Sequence, residues 1–254
     1  MNSLKVVRRN SLVLWRAWRS SMFLSVLAPI LFLAAMGLGL GSLVRTGSQS
    51  FDGADYLAFF ATGMLATNCM QSGVFSASYP IMSKITWQKN YEAILATPLN
   101  VQDIFVGELL WIGGTLAQQT IPFFAVMALF GIFDSALSLL AIPFAVLVGL
   151  GFAAAVMAFT ATLETDEAYT WLFRFVVTPL FLLSGTFFPI QELPGWAVLI
   201  AQLTPLYHGI ELVRGVTIST ISLSSAIVHI TYLVIFLAIG LMIGVRTMTR
   251  RLVP

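Results

Sequence analysis

Long uncharged runs set the pattern of this chain. Residues 20–44, 56–83, 109–133, 135–163 and 215–245 contain no Asp, Glu, Lys or Arg, and only Arg174 separates a shorter run, 175–191, from a longer segment starting near Ala168. A helix that crosses a bilayer needs roughly 20 mainly apolar residues. The pattern predicts an all-α polytopic membrane protein, a single transmembrane domain with spans at 20–44, 56–80, 105–132, 136–163, 168–189 and 222–245. Composition agrees: 58% of the 254 residues are hydrophobic and 9% charged, with a mean hydropathy of +0.91. So little charge cannot clothe a water-soluble domain of this length.

Charge placement predicts the topology. Lys5, Arg8, Arg9, Arg16 and Arg19 precede the first run, and Arg246, Arg250 and Arg251 follow the last. Basic residues stay on the cytoplasmic side of short loops, so both termini are expected there, in the inner membrane, and the number of spans is even. Six spans put Lys84, Lys89 and Arg174 inside and leave only Arg45 and Arg214 outside. The first run exceeds the apolar core of about 7–15 residues of a cleavable signal and reads as a retained helix. Residues 193–210 are also uncharged, yet they carry Pro194 and Pro205, and a seventh span would push the basic C-terminus outside. Residues 190–214 are therefore predicted to form an outer-side re-entrant hairpin, packed on neighbouring helices because bare backbone is not tolerated at that depth. At the other end, residues 4–19 form an amphipathic pattern with their cations inside an arc of about 100°. The pattern predicts a surface helix for lipid head groups, with a simple topology signal as the alternative.

Polar residues inside the runs are few and aligned. Asn68, Gln71, Ser72, Ser76 and Tyr79 recur every three or four positions, and Thr115, Gln118 and Gln119 cluster in the third span. Two readings stand: hydrogen bonds between helices, or a translocation path lined by Asn68, Gln71, Ser72, Ser76 and Gln118. Neither cluster carries a charge, which argues against a proton or sodium relay. Gly37 with Gly41, and Gly240 with Gly244, are GxxxG pairs that permit close helix packing or dimerisation. Between spans two and three, residues 84–97 predict a short helix presenting Trp87, Tyr91, Ile94 and Leu95 to lipid or to a cytoplasmic partner. Glu164, Asp166 and Glu167 form an acidic connection with no histidine beside it, a solvated loop or a docking surface and not a metal site. Asp103 and Glu108 are expected to favour the start of the third span.

Chemistry is scarce. Cys69 is alone, so no intrachain disulfide or thiolate cluster can form, and it reads as a small buried side chain. No GxxxxGK[ST] occurs, so ATP and magnesium would belong to another polypeptide. Ser184 and His208 are the only pair a membrane serine protease could use, but Leu182 stands where such a motif needs glycine. Two histidines, His208 and His229, do not make a phosphatase or lipid-transferase site. No catalytic residue, resident metal, cofactor or nucleic-acid partner is expected. The classes that stay open are a transport permease, a non-transporting membrane scaffold, a six-span intramembrane enzyme and an ion-coupled carrier. The carrier would need internal repeats and a buried carboxylate, and the sequence presents neither.

Two C-terminal stretches, TPLFLLSGTFFPIQELPGW (178–196) and TPLYHGIELVRG (204–215), resemble the signature of ABC-2 type exporter permeases, as does YEAILATPLNVQDIFVGE (91–108). Within that family the chain resembles the branch of nodulation-factor (lipooligosaccharide) export and daunorubicin-resistance permeases. The resemblance implies two permease subunits, alike or different, with two ATP-binding cassette subunits and an amphipathic cargo: lipid-linked saccharide, drug or lipid. By position it implies ATPase coupling at Lys84, Trp87, Tyr91, Glu92 and Leu95, a second contact at Glu164, Asp166 and Glu167, and an outer gate at Pro189, Pro194, Pro205 and Tyr207.

Overall fold

A computed structural model describes residues 56–133 and 135–253, and before them only residues 5–7, 9–10, 27, 30–31 and 33–35. The surface helix expected at 4–19 and the first span, 20–44, lie outside the described residues apart from those few positions. Every regular element among the described residues is helical.

Helix α1 (Tyr56–Ala77) breaks at Ser78 and continues as α2 (Tyr79–Met82) and a π turn at Ser83–Trp87. The break has a local cause: Pro80 is the second residue of the new helix and cannot donate to the preceding turn. Lys89 then adopts a left-handed backbone, φ 49°, and α3 (Asn90–Leu95) starts in a new direction. One continuous helix over 84–97 is thus replaced by a turn and a separate helix. The consequence is that Trp87 and Tyr91 do not share a face: Trp87 is 63% exposed and Tyr91 fully buried.

Helix α4 (Val101–Leu129) begins where Asp103 accepts the Asn100 backbone N–H at 3.2 Å, the N-terminal arrangement that satisfies an orphan donor. Glu108 does not help that terminus; it is buried further along, among side chains. A 3₁₀ turn at Ala136–Leu140 leads into α5 (Ala141–Thr160). Helix α6 (Glu167–Leu172), a π turn at Phe173–Val177 and α7 (Thr178–Leu183) form one helical run, which stops before Gly185, φ 85°. It is shorter than the predicted 168–189 because residues 184–189 turn instead of continuing. After a 3₁₀ turn at Ile190–Glu192 come α8 (Gly195–Gln202), α9 (Pro205–Thr217) and α10 (Leu223–Leu252). Thr204 and Ser222 cap α9 and α10 by accepting backbone N–H groups of Tyr207 and Ser225 at 3.2 Å.

Val101–Leu129, Ala136–Thr160 and Leu223–Leu252 are long and apolar enough to cross a membrane. Contacts at their ends show how the run of helices alternates. The Thr160 hydroxyl donates to the Ala77 carbonyl at 2.9 Å, so α1 and α5 finish at the same end. At the opposite end, the Ser138 hydroxyl reaches the Thr217 carbonyl at 3.1 Å and Arg214 bonds the Gly185 carbonyl at 2.8 Å. Gly185 and Arg214 therefore lie together at that end of the bundle.

Helix α5 is central, packed by α1, α4, α9 and α10. Small residues set the spacing: a Cβ on Gly149 would sit 2.6 Å from the Cys69 carbonyl of α1. The Gly240 and Gly244 pair is used within the chain. A Cβ on Gly240 would lie 3.0 Å from Ala154 of α5, and one on Gly244 would strike the Phe105 ring of α4. The outer face of α10, with Ile227, Val228, Ile235, Ile239, Met242 and Ile243, is exposed and apolar, a surface suited to lipid.

Candidate functional site: a polar furrow between two charged ends

The predicted path residues come together. Asn68, Gln71, Ser72 and Ser76 of α1 line an open groove of about 410 Å³ with Gln119 of α4 and Phe173, Val177, Thr178 and Phe181 opposite. Gln118 lines a neighbouring cavity of about 270 Å³ with Ser76, Gln119, Thr115, Trp111, Lys84 and Glu108. Phe75, Ser76 and Gln119 belong to both, so the two join into one furrow. Asn68 to Ser76 alone covers about 12 Å of helix at 1.5 Å per residue. Among the described residues, none of the Asn68, Gln71, Gln118 and Gln119 amides hydrogen-bonds to another residue of the chain. Bonds between helices are made elsewhere, by Thr67 with Thr186 and by Cys69 with Thr120, each at 3.0 Å. The amides face open space and do not hold helices together.

At one end of the furrow lies a buried ion pair. The Lys84 ammonium donates to Glu108 Oε2 at 2.6 Å, and the Asn10 amide donates to the same oxygen at 2.9 Å. Glu108 is fully buried, with the Tyr91 hydroxyl beside its carboxylate. Burial lowers the Lys84 pKa, opposed by the Glu108 carboxylate, while burial and then Glu108 push the Tyr91 phenol well above its usual value. Three stretches of sequence thus meet at one carboxylate. A buried carboxylate, expected to be absent, is present, but it is committed to a lysine.

The coupling candidates share this end. Trp87 and Glu92 are exposed, Leu95 is half-buried, and Tyr91 is buried beneath them. Glu164, Asp166 and Glu167 are exposed in the connection after α5. Tyr79 ties the two regions together, its ring centroid 4.8 Å from Tyr169 and stacked on Phe173.

At the opposite end the anchor is Arg214, 4% exposed. Its guanidinium donates to the carbonyls of Phe59 and Gly185 and to Glu211, and lies 3.6 Å over the Phe59 ring. Gly63 makes room: a Cβ there would be 3.0 Å from Thr186 Cα and 3.3 Å from the guanidinium. Of the gate candidates, Pro205 opens α9, Pro194 precedes α8, Pro189 precedes the 3₁₀ turn, and Tyr207 stacks edge-on with His208. Ser184 meets Thr204 at 3.3 Å, not His208, so the protease pair is not assembled.

His208 instead bonds His229 of α10, Nδ1 to Nδ1, at 2.8 Å, and stacks on Tyr232. One imidazole must donate and the other accept, which requires an uncharged acceptor ring. Burial first, then His229, pushes His208 down to about 4. The unfolded chain therefore binds the proton more readily between about pH 6.5 and 4, and stability is expected to fall with pH across that window. Thermal unfolding of the detergent-solubilised chain should show that slope, and His208→Gln should flatten it.

Sequence reasoning missed Glu108 and Arg214 as buried anchors and the histidine pair altogether. The one signal for Glu108 was a carboxylate four residues inside a predicted span. A family model described as ABC-2 type transporter matches residues 4–218. Nodulation protein J of Rhizobium meliloti (strain 1021) is 31% identical over 257 residues, covering 100% of this chain and 95% of that protein. Nodulation protein J of Rhizobium leguminosarum bv. viciae is 32% identical over 256 residues, covering 99% and 95%.

Proposed function

The chain belongs to the ABC-2 type transporter family, and from that premise we propose that it is the permease subunit of an ATP-driven exporter for an amphipathic cargo. Family membership makes it an integral membrane protein that is not itself catalytic, with ATP hydrolysed on an ABC ATPase subunit. Six spans, both termini cytoplasmic, the hairpin at 190–214 on the outer side, the inner membrane and a second permease, identical or not, are part of the proposal. The resemblance of the C-terminal stretches to the lipooligosaccharide-export branch favours cargo of that kind over drug or lipid.

The observation that carries the reading is the furrow of unengaged amides along the exposed face of α1. Polar groups without partners are costly inside hydrocarbon, so a face that keeps them is a face for something wet or polar. Paired across a symmetry axis, two such faces would enclose a path. The ATPase would press on Trp87, Glu92 and the 164–167 connection, and the Lys84–Glu108 pair would carry that movement to the furrow.

The test is a double substitution, Gln71→Leu with Gln119→Leu, in the reconstituted permease–ATPase complex. These side chains hold no helix, so thermal stability should stay within about 0.5 kcal/mol of the parent. Cargo-stimulated ATP hydrolysis should fall by about tenfold or more, as expected when polar contacts to cargo are lost. Unchanged stimulation would count against a transport path here and leave the scaffold reading.

A further inference from the structure

We infer that His208 and His229 form a proton-operated latch. The pair holds α9 against α10 while it carries at most one extra proton, and a second proton parts the rings and lets α9 swing away. The latch depends only on this end of the bundle, which the export reading places on the outer side, and on no cargo or ATPase.

Ser225, His229 and Tyr232 lie four and three positions apart on α10, one face of that helix, and His208 meets them from α9. The two Nδ1 atoms are 2.8 Å apart and the ring centroids 5.0 Å apart. The difference nearly equals two ring radii, so the nitrogens point straight at each other, as two atoms sharing a proton do. A metal ion would need both lone pairs to converge beside that line, and no third metal-ligating side chain joins them among the described residues. The flanking partners fix where the protons sit. The Gln202 carbonyl accepts from His208, and with Nδ1 engaged that bond falls to Nε2–H. His208 Nδ1 is then the acceptor and His229 Nδ1–H the donor. His229 Nε2 accepts from the Ser225 hydroxyl at 3.2 Å.

This chain has room for one proton. It goes to His229 Nε2, because the Ser225 hydroxyl can turn from donor to acceptor, and the bond to His208 becomes charge-assisted and stronger. A second proton has only His208 Nδ1 to bind, where it meets the His229 N–H head-on between two cations. His208 cannot turn aside while it bonds Gln202 and stacks on Tyr232, centroids 3.9 Å apart. The rings must part. Burial and then His229 hold His208 down to about 4, so release needs acid well below the usual histidine range.

Few other groups titrate nearby. Among the described residues, α5, α8 and the turn at 136–140 carry no titratable side chain, and α1 brings only Tyr56 and buried Cys69. The charges of α4, Asp103 and Glu108, and the arginines of α10 lie at the opposite end. Glu192 stands in the turn before α8, and α9 itself adds Tyr207, edge-on to both histidines, and the Glu211–Arg214 ion pair. Glu211, Arg214, Ser225 and His229 line one polar pocket of about 430 Å³, a route for protons to His229 and a space that widens on release. The hinge lies at the other end of α9, where a Cβ on Gly215 would strike Ile221 and Ser219 has a left-handed φ of 55°. With the rings apart, a single bond from the Tyr232 hydroxyl to the Leu203 carbonyl, 2.6 Å, is left beside them.

The chain holds two histidines in all, so isotope-labelled histidine in the full-length protein in lipid nanodiscs reports this pair alone by solid-state NMR. At neutral pH, His208 should carry its proton on Nε2 and His229 on Nδ1, with nitrogen–nitrogen coupling across the bond. As pH falls, His229 should become an imidazolium first with the coupling intact. The coupling should be lost only when His208 titrates, near pH 4. Spin labels on Leu203→Cys with Ile243→Cys, both exposed positions, should show a second distance in that same step. His208→Gln, whose amide donates and accepts without titrating, should keep one distance throughout. Identical tautomers at neutral pH, loss of coupling with the first proton, a single distance in acid, or a second distance in His208→Gln would overturn the latch. The histidine spectra come from the unsubstituted chain, so a variant that fails to fold leaves the test standing.

Discussion

Replacing Arg214 by methionine will cost the folded chain about 3–5 kcal/mol, the penalty usual for deleting one partner of a buried charged network. The guanidinium joins three pieces of chain that are far apart in sequence: Phe59 of α1, Gly185 after α7 and its own helix α9. Methionine fills the volume but donates nothing, so the bonds to the Phe59 and Gly185 carbonyls and the ion pair with Glu211 are lost. Arg214→Lys keeps the charge yet lacks the planar fork that serves both carbonyls from Nη2 while Nη1 serves Glu211, so it should recover less than half the loss. Thermal unfolding by fluorescence-detected size exclusion measures both. A methionine variant as stable as the parent would mean the anchor holds nothing.

The second large effect concerns the opposite end. Glu108→Leu strands the Lys84 ammonium, and Lys84→Met strands the Glu108 carboxylate, each expected to destabilise by about 3–5 kcal/mol because a buried charge loses its partner. Combining the two substitutions removes both charges and should restore most of the loss, since a buried pair and an apolar pair of similar volume are often close in stability. The double-mutant cycle therefore has a coupling energy as large as either single effect. Additive losses would show that Lys84 and Glu108 act independently. In the assembled complex, the apolar double variant should remain folded yet respond poorly to its ATPase, because the link between segment 84–95 and the furrow is gone.

Local patterns carried far in the fold. Asp103 was expected to favour the start of α4, and there it accepts the Asn100 N–H. The three- and four-residue repeat of Asn68, Gln71, Ser72 and Ser76 placed them on one face of α1, where they line one groove. The same reasoning failed at 84–97, where helical periodicity put Trp87 and Tyr91 on a single face. The left-handed backbone of Lys89 resets the phase, and nothing in a lysine's identity signals that. Glu108 was read by its nearness to a helix start, although burial beside Lys84, 24 residues away in sequence, decides its role.

The uncharged runs and the placement of basic residues determined by themselves that this is a helical membrane protein with its polar residues aligned. That follows because lipid admits long apolar helices and penalises each misplaced charge, an effect that depends only on local sequence. Which amides face a cavity, which carboxylate meets Lys84, and which carbonyls Arg214 holds were decided by the tertiary structure alone. Those pairings join segments 24 to 155 residues apart, and the energy of a buried charge depends on the partner that packing brings to it.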